Sequence, residues 1–203
     1  MKRVDKALRL LAACILCVFF ASAAHVLLRF VRCIRSASSI ASMESYDAVQ
    51  VFLFGSSGNS VSGSVSIMNA DGAVLAQLER SWNSAGLSID FVTVSLGARS
   101  FSFPERVYAN RLMPVRSRSG VVLAKYYMRG RECLLFASSL HPLTEQELRA
   151  RYYIADFALS PVAHIFASFI KVQTVDLSFC VPGRTYAIKA EANGNLFLYP
   201  VTD

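Results

Sequence analysis

A chain of 203 residues, 54% hydrophobic and 17% charged, carries enough apolar material for one sizeable core and too little charge for a disordered protein. Its net charge of +7 invites a nucleic-acid reading, but Lys2, Arg3, Lys6, Arg9, Arg29, Arg32 and Arg35 face only Asp5 within residues 1–35. The rest of the chain has 14 basic and 13 acidic residues, so its composition makes no case for nucleic acid, and no such partner is expected.

Leu10 to Leu28 are 19 residues without a formal charge, about 28 Å as a helix and close to the thickness of a bilayer core. Arg29 and Arg32 follow within a turn, and Phe30, Val31 and Ile34 stay at the interface, so residues 1–35 read as a signal-anchor or transmembrane segment with basic flanks. The membrane is therefore a partner through residues 10–28. A cleaved secretory signal is the rival reading: a basic start, an apolar run to Phe20, then Ala21-Ser22-Ala23, with cleavage between Ala23 and Ala24. Against cleavage, apolar character resumes at Val26 and three arginines follow. Leu11-Ala12-Ala13-Cys14 resembles a lipobox, but most of the apolar run lies after that cysteine, the wrong order for a lipoprotein. Four cations before the span and three after it favour an N-inside orientation, with the C-terminal domain extracytoplasmic.

Residues 36–45, SASSIASMES, read as a short linker, and 46–203 as one β-rich domain. In YDAVQVFLF, Val49, Val51 and Leu53 share a face while Phe52 and Phe54 make the other face apolar too, as in a sandwiched strand. SVSGSVSIM alternates strictly, with Val61, Gly63, Val65 and Ile67 inward and serines outward. Asp71-Gly72 between extended runs predicts a hairpin. LSIDFVTVSL changes phase from Leu87, Ile89 and Phe91 to Val92, Val94 and Leu96, which predicts a β-bulge or a strand that changes sheets. PERVYANRLMPVRSRSG reads as an edge or loop, and VVLAKYYM with RECLLFASS as a hairpin about Arg129-Gly130.

A helical pair interrupts the strands. Thr144-x-x-Glu147 is a capping box, and Ser160-Pro161 opens a second helix whose Val162, Ile165, Phe166, Phe169 and Ile170 predict a stripe buried on a sheet. The chain ends in VQTVDLSFCV and a hairpin turning at Asn193-Gly194-Asn195. The predicted class is α+β, mainly antiparallel β: a β-sandwich or curled sheet of about ten strands with an inserted helical pair, behind one N-terminal helix.

Chemistry is sparse. Gly55, Gly58 and Gly63 lack the Lys-Ser or Lys-Thr of a phosphate loop, and neither G-x-S-x-G nor H-E-x-x-H is present. His141 neighbours Ser138 and Ser139 without an acid partner in the local sequence, so no catalytic residue, metal ligand or cofactor is assigned. Cys14-x-x-Cys17 lies inside the apolar run as packing residues, and Cys33 is at the membrane edge. Cys133 and Cys180 form a disulfide candidate if the domain faces an oxidising compartment. Residues 99–131 hold eight cations against Glu105, and from these Arg111, Arg116, Arg118, Lys125, Arg129 and Arg131 are the candidate binding residues for an anionic ligand; solvated edge-strand charges are the alternative. The expectation is a membrane-anchored envelope protein that binds or scaffolds another envelope protein, set against an extracytoplasmic hydrolase acting on a cell-wall or carbohydrate substrate.

Overall fold

The structure is a computed structural model that describes residues 2–40, 45–84, 86–97, 99–110, 120–138 and 143–201. It opens with a single helix, α1 (Lys2–Ser39), of 38 residues, about 57 Å long at 1.5 Å per residue. That is twice the length of the apolar run. The segment read as a linker therefore begins as helix through Ser39, and Ile40 just beyond it is fully buried. Residues 41–44 lie outside the described part.

Among the described residues eleven strands follow, in three antiparallel sheets: β1 (Tyr46–Ser57), β2 (Ser60–Met68), β3 (Val74–Trp82), β4 (Leu87–Leu96), β5 (Arg99–Ala109), β6 (Val121–Val122), β7 (Met128–Arg129), β8 (Glu132–Cys133), β9 (Ile170–Asp176), β10 (Thr185–Ala190) and β11 (Leu196–Pro200). One sheet runs β11-β10-β1-β2-β3, the second β6-β5-β4-β9, and β7-β8 make a small ribbon. The two large sheets share one apolar core. Val49, Val51 and Leu53 of β1 face Ile67, Val65 and Gly63 of β2, as the alternation requires. The N–H groups of Asp71 and Ala73 donate to the Asn69 side chain, and Gly72 takes the positive φ that the predicted turn needs.

The phase change in β4 falls at the expected bulge, a register shift against β5 between Asp90 and Phe91. β4 pairs β9 without a break from Ser88 to Val94, and the register shift against β5 leaves Glu105 of β5 as the extra residue. Ile89 and Phe91 are buried on one face, Val92 and Val94 on the other, so both phases are apolar because both faces are covered. β5 also runs through Pro104, which is buried opposite Phe91 of β4. β6 pairs β5 only at Arg106 and Val107; beyond them, the Tyr46 and Tyr127 hydroxyls donate to the Ser102 and Pro104 carbonyls at 2.6 and 2.8 Å. Side chains close an edge that no strand among the described residues covers.

Two expected elements are shorter than their sequences suggest. The hairpin about Gly130 pairs only Met128 with Cys133 and Arg129 with Glu132, flanked by α2 (Ala124–Tyr127) and a 3-10 helix, Leu134–Phe136. The second member of the helical pair is a 3-10 helix, Pro161–Phe166, after α3 (Glu145–Ala158). Its predicted stripe is not buried on a sheet: Ile165 is 73% and Phe169 40% exposed, whereas Ile170 is buried as part of β9. α3 itself starts at the expected capping box, with Thr144 and Glu147 satisfying each other's backbone N–H.

Candidate functional site

The most specific constellation lies where α1 meets the helical part. Val26, Phe30, Cys33, Ala37 and Ile40 recur at spacings of four and three; Cys33, Ala37 and Ile40 are buried and Val26 and Phe30 half-buried. This stripe joins the end of the apolar run to the domain. Phe30 stacks on Phe166, with centroids 4.3 Å apart and planes at 17°, and its ring also lies 5.6 Å from Phe157 and 5.4 Å from Phe169. Such pairs contribute about 0.5–1.5 kcal/mol each beyond the area they bury.

Two arginines complete the junction. A helix leaves carbonyls unpaired at its C-terminus and carries partial negative charge there, and neither α1 nor α3 has a basic residue in its own last turn. Arg29 donates to the Asp156 carbonyl of α3 at 2.9 Å and to its carboxylate at 2.6 Å. Arg99, at the start of β5, donates to the Ala37 carbonyl of α1. Each helix end thus receives its cation from another element. The sequence signal for this junction was available in the four-three spacing from Val26 to Ile40, but it merges with the apolar run that precedes it.

The structure describes part of the cationic stretch. Arg111, Arg116 and Arg118 lie outside the described residues. Lys125 is exposed on α2 with its ammonium 4.8 Å from the Tyr126 ring centroid, and Arg129 and Arg131 flank Gly130 at the exposed tip of the small ribbon, beside Glu132. Arg99 serves α1, and the Arg106 side chain lies beneath Gly120, where an added Cβ would meet its Cγ and Cδ at 2.6 Å. Cys133 and Cys180 are both free thiols in different surroundings: Cys133 in β8 close to Tyr46, Tyr127 and Arg151, Cys180 in the turn after β9, where its N–H donates to Leu177. Burial pushes the Cys133 thiol up to about 12 and the Cys180 thiol up to about 11, so neither is a nucleophile at neutral pH. Ala23 and Ala24, the candidate cleavage residues, are exposed within α1, one turn before the docking stripe.

The carboxylates of β4 and β9 are held by internal bonds. Asp90 accepts from the Tyr108 hydroxyl at 3.0 Å and the Thr174 hydroxyl at 2.6 Å; Asp176 accepts from Asn110 and from the hydroxyl and N–H of Ser178. Burial and then the Asp90 carboxylate raise the Tyr108 phenol above its ordinary range, partly opposed by Thr174. These groups make a hydrogen-bonded surface rather than an acid–base pair. Ser138 donates to Asp71 at 2.5 Å, which ties the loop after the first 3-10 helix to the β2–β3 turn; His141 lies outside the described residues. Among the described residues no group of three or more His, Cys, Asp or Glu is placed to hold a metal ion. Comparison with family models, curated proteins and solved structures finds no match to this chain.

Proposed function

We propose that the chain is a single-pass membrane protein whose β-rich extracytoplasmic domain is a non-catalytic module that binds or scaffolds another component of the cell envelope. The observation that carries this reading is the continuity of α1. One helix is apolar enough from Leu10 to Leu28 to span a bilayer, and it then enters the domain core without a break. A linker would let the domain sample a wide volume; a helix docked by Phe30, Cys33 and Ala37 instead holds it at a fixed height and orientation, which suits a scaffold more than a free-diffusing catalyst. The excess of cations before the span supports the N-inside orientation.

The experiment is protease accessibility in intact and osmotically opened cells, combined with site-specific photocrosslinking from the domain surface. Cleavage only after the outer barrier is opened, with a discrete crosslinked product, is the expected result. Digestion only after lysis of the inner membrane overturns the orientation, and crosslinking to lipid alone overturns the scaffold. The hydrolase alternative has one observation in its favour, the Ser138–Asp71 bond. A carboxylate bonded directly to a hydroxyl orients it, but proton abstraction in such enzymes is performed by an imidazole between the two. Loss of a turnover activity in both Ser138→Ala and His141→Ala proteins would favour that alternative.

A further inference from the structure

We propose that the segment from Pro161 to Phe169 is a second membrane contact, with Ile165 and Phe169 seated in the headgroup–acyl boundary of the leaflet through which α1 leaves the bilayer. The proposal rests on the reading of α1 as a retained membrane helix. Its height is fixed by Phe30. That residue is two positions after Leu28, about 3 Å along the helix axis, and its ring contacts both Phe166 and Phe169. The 3-10 helix is therefore held at the level where the apolar run ends.

What it presents there is apolar. Ile165 is 73% and Phe169 40% exposed, and Leu27 and Leu28 of α1 are also exposed at the adjoining level. Single exposed apolar residues are ordinary on a soluble surface, but these adjoin a helix whose preceding 18 or more residues are fit for lipid. Their surroundings match an interface: Arg32, Arg35 and Lys171 are exposed nearby in sequence, suited to anionic headgroups, while the apolar side chains reach the acyl chains. The segment also has a sequence reason to be short and shallow. Pro161 starts it, and the chain enters β9 at Ile170, which leaves room for one exposed apolar rim and no second span. A bilayer surface is the occupant because the patch continues the α1 surface; a second copy or another protein would need no such continuity.

The test uses the full chain in vesicles of phosphatidylcholine and phosphatidylglycerol brominated either near the headgroup or near the chain ends. Tryptophan is placed by Ile165→Trp, by Phe19→Trp in the apolar run, and by Phe179→Trp, an exposed control 87% accessible at the far end of β9, about 23 Å on. Emission from the single native Trp82 is subtracted. The added emission of Ile165→Trp should fall by about half with shallow bromine and little with deep bromine, as for an interfacial side chain. Phe19→Trp should show the reverse, and Phe179→Trp neither. Absence of quenching at 165 with deep quenching at 19 overturns this proposal and leaves the anchor standing. Shallow quenching at 165 without quenching at 19 refutes the span and overturns this proposal with it, leaving a peripheral contact in its place. Equal quenching at 165 and 179, or a blue shift at 165 that grows with protein density and ignores bromine, overturns it in favour of adsorption or of a protein occupant.

Discussion

One guanidinium nitrogen of Arg29 reaches two oxygens of Asp156, the carboxylate at 2.6 Å and the main-chain carbonyl at 2.9 Å, across 127 positions of sequence. Asp156 by itself is badly placed, since an acid in the last turn of α3 sits at the negative end of the helix dipole. Arg29 reverses that penalty and satisfies a terminal carbonyl at once. The pair is partly solvated, with side-chain exposures of 24% and 38%, so screening keeps its value modest. Arg29→Ala should destabilise the domain by about 1–2 kcal/mol, roughly 2–8 °C in melting temperature. Asp156→Ala should cost less, about 0–1 kcal/mol, because Arg29 still has the carbonyl. A double-mutant cycle read by thermal unfolding in nanodiscs checks both; equal losses would mean that the carbonyl bond contributes nothing.

Gly194 is required twice. Its φ is +87°, and an added Cβ would lie 2.8 Å from Ser100 Cβ and 2.9 Å from Thr93 Cγ2, where the β10–β11 turn presses on β4 and β5. Gly72 has φ +78° in open space. Alanine at 72 should therefore cost about 1–2 kcal/mol from backbone strain alone, and alanine at 194 about 2–5 kcal/mol once overpacking is added. Denaturant unfolding of the two variants measures the difference. Equal costs would show that the hairpin does not press on the second sheet.

The Tyr46 and Tyr127 hydroxyls hold the open stretch of β5. Phenylalanine at either position leaves a carbonyl, Ser102 or Pro104, without its donor, for a predicted loss of about 1–3 kcal/mol each. Burial lifts both phenols well above the ordinary value of 10. A folded pKa above the unfolded one means the contribution is complete below pH 10 and is lost as pH rises, because only the unfolded phenols ionise. Stability of the native protein should fall above about pH 10, and the slope should shrink in the Tyr46→Phe/Tyr127→Phe double variant. An unchanged slope would contradict this assignment.

The buried thiols make a chemical prediction. With Cys133 raised to about 12 and Cys180 to about 11 by desolvation, neither should react with iodoacetamide in the folded protein at neutral pH, and unfolding should release both for alkylation. Mass spectrometry of tryptic peptides, alkylated before and after denaturation without reductant, decides this. Recovery of a peptide linked through Cys133 and Cys180 would contradict the structure.

The parts of the fold that were legible in the sequence are those fixed by neighbours. Asp71-Gly72 and Asn193-Gly194 turn where their backbone chemistry demands, and Thr144 with Glu147 caps α3 through residues three apart. Period-two alternation fixed the inward face of β2, although Ser64 on its other face is buried too, accepting from Gln77 at 2.9 Å. What was hidden depends on distant contacts. Both faces of β4 are covered around its bulge, and the hydroxyls that satisfy the Ser102 and Pro104 carbonyls of β5 come from Tyr46 and Tyr127. Sequence adjacency also does not say that Arg99 works at the end of α1 while Arg129 and Arg131 lie at a ribbon tip. The docking stripe of α1 is hidden in the sequence because the run long and apolar enough to cross a membrane and the apolar residues that pack on α3 follow one another without a break. Ile165 read as core for the same reason: hydrophobic spacing reports that a residue avoids water, not what covers it.

The central claim is that α1 is kept whole and carries the domain on the membrane. Intact mass and N-terminal sequencing of the mature protein, extracted from its native membrane, test it most directly. The account predicts a chain that retains residues 1–23 and resists extraction by alkaline carbonate. A mature chain beginning at Ala24 and released into the soluble fraction would contradict it.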